Sequence, residues 1–158
     1  MVTRLKIKYL NELGQTVSFI DSLGQIFDVT VTKDTIVWEI MDEYSGGHFS
    51  WEQIREVRLQ CNLSNFVMNL RVARNLIIVY HLNYYFWIPY DDKGNFRKGY
   101  YYDRVYQHIH NSLDINGKTY YDVLEYRFEL RPWSLLYNKK EGILQMSDED
   151  KVIFTIYK

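Results

Sequence analysis

The chain is poor in residues that break, staple or coil a fold. Cys61 is the single cysteine among 158 residues, so an intrachain disulfide and a cysteine-rich zinc site are both excluded. A lone Cys in a strand-like stretch reads as a small buried hydrophobe. Catalysis by its thiolate would need an adjacent base, and the sequence places none beside it. There are two prolines, Pro89 and Pro132, and one alanine, Ala73. So little Ala argues against a helical protein, because Ala is the best helix former. Neither sign of charge dominates: the formal net charge is −1. No basic stripe is available to neutralise phosphates, and a nucleic-acid partner is not expected. No apolar run reaches the length of a transmembrane segment. The first ten residues alternate apolar and charged positions and lack the continuous apolar stretch of a secretory signal.

Aromatic residues are what the chain has in plenty. They make up 17% of it, with fifteen tyrosines. Their flat bodies suit the pleated, half-buried surface of a sheet. Period-two alternation recurs along the chain. Leu5, Ile7 and Tyr9 alternate with Arg4, Lys6 and Lys8. Strands are predicted near 16–20, 26–32 and 35–41, with a break at Lys33-Asp34. Residues 42–50 carry Gly46-Gly47 and read as a loop. Residues 51–60 are ambiguous, and one short helix near 50–58 is allowed. Further strands are predicted over 65–72, 76–81, 84–90 and 99–115. Asn116-Gly117 is the strongest hairpin signal, because a type I′ turn needs positive φ at both positions. Strands over 118–130, 134–138, 142–146 and 151–157 complete the set. The reading is a single all-β domain over residues 1–158, an antiparallel sandwich or flattened barrel of about ten strands.

Two arrangements could carry function. His108 and His110 stand two apart in a predicted strand, which puts both imidazoles on one face about 7 Å apart. A divalent metal would need a third ligand, from His81, His48 or a carboxylate. Without one, they are surface or hydrogen-bonded histidines, and the chain is expected to use no cofactor. The second arrangement is a pair of aromatic strands, Tyr84–Tyr90 and Tyr100–Tyr106, flanking the turn at Asp91–Asn95. Both faces of each are aromatic. One face must be core, and the other must pack, line a cleft or meet a partner. Tyr85, Trp87, Tyr100 and Tyr102 are the candidate contact residues for a glycan or protein, since their rings cover apolar faces while polar tips donate hydrogen bonds. The competing reading buries them in the fold or at a homodimer interface.

Other signals are weaker. Glu39/Glu43, Glu52/Glu56 and Glu125/Glu129 are spaced by four, and a glycosidase would need two carboxyls set across a cleft. Glu125, Arg127 and Glu129 on one strand face read as a solvated charge ladder. No nucleophile-elbow, P-loop or dinucleotide glycine pattern occurs. Asn62-Leu-Ser64 matches a glycosylation sequon. Trp38, Trp51, Trp87 and Trp133 read first as core anchors.

The C-terminal third has a familiar look. Asp114-Ile-Asn-Gly-Lys-Thr-Tyr-Tyr-Asp-Val123 runs into a strand and is followed by Leu136-Tyr-Asn-Lys-Lys-Glu-Gly-Ile-Leu-Gln-Met146. Together they resemble the ending of uncharacterised exported lipoproteins of Bacteroidetes-type bacteria. Asp21-Ser-Leu-Gly-Gln-Ile-Phe27 resembles a turn and strand near the start of such domains. The resemblance implies a β-sandwich or flattened-barrel ectodomain at the cell envelope, periplasmic or outer-surface, once a leader has been removed. It supplies no catalytic residue. Cys61 lies too far inside to serve as a lipid-attachment cysteine. Three functions follow in order: a non-catalytic envelope domain binding through an aromatic surface, a structural or interaction module, and a metal-assisted hydrolase using His108 and His110.

Overall fold

The computed structural model describes residues 13–43, 48–61, 66–73, 76–82, 84–91, 105–128, 132–149 and 151–157. All its regular elements are strands: β1 (Thr16–Asp21), β2 (Ile26–Glu43), β3 (His48–Gln60), β4 (Val67–Ala73), β5 (Leu76–His81), β6 (Tyr84–Pro89), β7 (Val105–Ile115), β8 (Lys118–Phe128), β9 (Trp133–Asn138), β10 (Gly142–Asp148) and β11 (Lys151–Ile156). They form one antiparallel sheet in the order β6-β5-β4-β3-β2-β1-β11-β10-β9-β8-β7. Among the described residues, two meanders, β1–β6 and β7–β11, are therefore sewn together by one long-range pairing, in which Phe19, Ile20 and Asp21 meet Ile156, Thr155 and Phe154. The sheet's two edges are β6 and β7. Pro89 falls on the edge strand β6, where a missing N–H costs little.

The sheet curls into a half-barrel, and ring contacts across the interior record the curl. Phe86 of β6 meets Tyr126 of β8 edge-on with centroids 5.8 Å apart, and Tyr84 meets Trp133 of β9 at 4.8 Å. Phe154 of β11 packs on Phe66 and His81 at 5.4 and 5.8 Å. The Tyr84 hydroxyl donates to Asp148 at 2.6 Å, tying β6 to the end of β10. Offset and edge-on pairs such as these add stabilisation beyond the area they bury. The core runs through Val29, Val57, Met68, Val79, Phe86, Ile88, Leu124, Leu135, Leu144, Met146 and Phe154.

Several sequence expectations change here. Residues 48–60 form β3, and no helix occurs among the described residues. The expected break at Lys33-Asp34 is absent: β2 runs unbroken past it, with a register shift against β3 between Val31 and Lys33. The reason is that β3 brings counter-charges to both residues. Lys33 Nζ meets Glu56 at 3.0 Å, and Asp34 takes two hydrogen bonds from Arg55. The expected face assignment on β8 also shifts. Asp122 has φ +52 and is exposed, and the residues after it, Val123 to Tyr126, are all buried. The strand is thus covered on both faces, and Glu125 is 8% exposed rather than part of a solvated ladder. Asn116 and Gly117 take φ +50 and +75, the hairpin their pairing predicts. Cys61 is buried, as a small hydrophobe. The strand expected over residues 5–9, the turn at 92–95 and the sequon at Asn62 lie outside the described residues.

Candidate functional site

His108 and His110 share a face of β7, as period-two spacing requires. Their rings meet edge-on with centroids 4.5 Å apart. Across the ladder, His108 faces Glu125 and Tyr106 faces Arg127, so β8 brings a carboxylate and a guanidinium to the same face. Glu125 is engaged at both oxygens: Oε2 lies 2.7 Å from His110 Nε2, and Oε1 accepts from Arg127 Nε at 2.5 Å. Burial pushes the Glu125 carboxyl upward, but the bonds from His110 and Arg127 outweigh it and hold the group below its ordinary value. The cluster is a charged knot on a nearly buried acid. Among the described residues, no group of three His, Cys, Asp or Glu could hold a metal ion. His81, one of the expected third ligands, is turned into the core. Its Nδ1 lies 2.9 Å from the Val67 carbonyl, and its ring packs at a tilt on Phe66, with centroids 4.5 Å apart. The side chain of His48 lies outside the described residues.

The aromatic strand 84–90 divides as alternation demands. Tyr84, Phe86, Ile88 and Tyr90 line the interior, and the Tyr90 hydroxyl donates to the Ala73 carbonyl. Burial raises Tyr90 to about 12, with the Glu52 charge adding to it, and a bond to Asp148 raises Tyr84 to about 12. Both stay protonated donors at neutral pH. Trp87 points to the opposite face, half-buried, beside Ile78 of β5. The side chain of Tyr85, and Tyr100 and Tyr102 entirely, lie outside the described residues. Of the four expected contact residues, Trp87 is the one whose environment is described.

A different aromatic surface is present that the sequence reading missed. β2 has 18 residues and β3 has 13, whereas β1 and β4 have 6 and 7. β1 pairs with β2 only over Ile26–Thr30, and β4 pairs with β3 only over Arg55–Gln60. Among the described residues, β2 beyond Val31 pairs with β3 alone, and the two strands run on past β4 as an arm. Asp34, Ile36 and Trp38 share the face of Val57 and Leu59, which farther along is core. On the arm that face has no second layer among the described residues, and Ile36 and Trp38 are 64% and 59% exposed. Trp38 therefore departs from the core role expected of it, whereas Trp133, at 9%, keeps that role. The signal was available in part: Ile36-Val-Trp-Glu-Ile-Met41 has apolar residues on both faces. What it lacked was the length of the neighbouring strands.

Comparison with protein-family models, with curated proteins and with solved structures finds no match to this chain.

Proposed function

We propose that this protein is a non-catalytic β module that binds a glycan or protein partner through aromatic and aliphatic side chains standing off its sheet. One observation carries the reading: Trp38 and Ile36 lie side by side on the core-type face of the β2–β3 arm, largely open to solvent. Exposed Trp is costly to leave in water and is the residue type most enriched where binding energy concentrates. Trp87 on β6 offers a second, half-buried ring. The likeness of the 114–123 and 136–146 stretches to exported lipoproteins supports an envelope location for this binding.

The histidine cluster supports a different role. With Glu125 bonded by both His110 and Arg127, it reads as a knot joining β7 to β8.

The test is a tryptophan-fluorescence titration of the intact chain against a panel of soluble oligosaccharides, with envelope-protein fractions captured in parallel. Binding that is reduced at least about tenfold by Trp38→Ala, as expected on losing a central aromatic contact, supports the reading. Binding that Trp38→Ala leaves unchanged, or no binding anywhere in the panel or fractions, overturns it.

A further inference from the structure

The face of the β2–β3 arm that shows Ile36 and Trp38 to solvent also carries planar polar side chains. Arg55 stands directly across the ladder from Ile36, and Gln53 directly across from Trp38. Side chains opposed in this way have Cβ atoms about 4.5–5.5 Å apart, so each apolar side chain has a polar one at its flank. Asp34, two residues before Ile36 on the same face, accepts from Arg55 Nε at 2.7 Å and from Nη2 at 2.5 Å. Such a forked bond fixes the orientation of the guanidinium. Asp34 occupies one side of that group, and an Arg carries more donors than one side uses. Gln53 is half-buried, and its amide both donates and accepts. Asp34 and Arg55 balance in charge, while Glu39, Glu52 and Glu56 fall on the opposite face of the arm.

We propose that this face is a subsite for a neutral, pyranose-based oligosaccharide, with Trp38 and Ile36 as its floor and Gln53 and Arg55 as its hydrogen-bonding wall. The proposal rests on the binding reading above and names the ligand class. A pyranose ring has an apolar C–H face and a rim of hydroxyls. Trp38, 59% exposed, gives the C–H face a flat apolar body to lie on. Ile36 extends that floor by about 7 Å along the strand. The Gln53 amide and the Arg55 guanidinium stand at its side, where the hydroxyls of a sugar seated on Trp38 need donors and acceptors. Because Asp34 already holds Arg55, little side-chain freedom is lost there on binding. Charge decides against an acidic sugar, whose carboxylate would meet Asp34 and compete with it for one guanidinium. Size decides against a protein. Ordinary protein interfaces bury about 800 Å² per partner around an apolar core. Among the described residues, the exposed apolar part of this face is Ile36 and Trp38, bordered by polar groups.

The test is an NMR titration of the full chain that follows the Trp38 indole N–H, assigned by its loss in Trp38→Ala. The probes are cellohexaose, maltohexaose, xylohexaose and chitohexaose, with hexagalacturonate as the acidic counterpart. At least one neutral sugar should shift the Trp38 resonance and bind more tightly than the uronate. Affinity for that sugar should fall at least about tenfold in Trp38→Ala, as for a central aromatic contact. It should fall about threefold or more in Gln53→Leu, which keeps the bulk and removes a hydrogen bond. Arg55→Lys should weaken it similarly, because Lys keeps the charge and loses the planar fork. An unchanged denaturation midpoint in Gln53→Leu shows that the loss is one of contact and not of folding. Three results overturn the proposal and leave the broader binding reading standing: sugar binding that needs Trp38 but ignores both Gln53→Leu and Arg55→Lys, tighter binding of the uronate, or Trp38-dependent capture of an envelope protein with no shift from any neutral sugar. Absence of any Trp38-dependent binding, to sugar or protein, overturns both.

Discussion

At His81 two effects oppose each other. Burial among Phe66, Tyr84 and Phe154 disfavours the charged imidazole, while the bond to the Val67 carbonyl favours it; burial is the larger, and the pKa falls below its ordinary value. The folded protein therefore holds this histidine neutral where the unfolded chain, near pH 6.5, begins to protonate it. The stability it secures is complete above about pH 6.5 and is lost as pH falls through the window down to the depressed folded value. Denaturant titrations at a series of pH values should show this slope, and His81→Leu should flatten it. A wild-type stability that does not change between pH 7 and pH 5 would remove the argument. Glu125 behaves alike at lower pH. Its depressed carboxyl contributes stability above about pH 4.3 that disappears as the pH drops below its folded value. Glu125→Gln should cost about 1–3 kcal/mol at pH 7, because His110 and Arg127 lose a charged acceptor, and much less at pH 3. An equal cost at both pH values would assign the effect to packing.

At the scale of elements, the β7–β8 hairpin and the β2–β3 arm are opposites. The hairpin is set locally: Gly117 sits at φ +75, a conformation that a side chain resists. Gly117→Val should destabilise by about 1–2 kcal/mol, read from the denaturation midpoint, since the left-handed region costs that much for an L-residue. Nothing lies within 4 Å of a Cβ at that position, so a loss would report backbone strain and not a clash. The arm is set by what its neighbours fail to cover. Trp38→Ala should change stability by less than about 0.5 kcal/mol, the range of surface substitutions. That outcome keeps the binding test clean. A loss of several kcal/mol would mean that Trp38 is packed, contrary to its exposure.

For the molecule as a whole, the junction that matters is β1 with β11. It joins the first meander to the last, pairing Phe19 with Ile156 and Asp21 with Phe154. Each meander is built from neighbours in sequence, but this pairing spans nearly the whole chain. Such a fold should refold slowly, on a timescale of about milliseconds to seconds, as non-local β pairings do. Phe154 is fully buried at the junction and touches Phe19, Phe66 and His81. Phe154→Ala should cost about 3–5 kcal/mol in equilibrium denaturation, the range for truncating a buried Phe. If the junction forms late, the loss will fall mainly on the unfolding rate; if it nucleates folding, refolding will slow in proportion.

Alternation and turn chemistry made most of the strands legible. Leu76–His81 and the 142–146 part of β10 follow from hydrophobic pattern, and the 116–117 turn follows from two residues that tolerate positive φ. These are local properties, determined by which side chains sit two apart and which backbones can turn. The all-β class followed from the same source, together with abundant aromatics and a single alanine. What the sequence could not determine were the relations between distant segments. Lys33-Asp34 reads as a break until β3 supplies Glu56 and Arg55 opposite it. Glu125 reads as a solvated charge until β7 lays His110 against it. Trp38 reads as core until the shortness of β1 and β4 leaves its face open. Burial, and with it the candidate site, depends on which strands end first and what packs over them, and only the assembled sheet decides that.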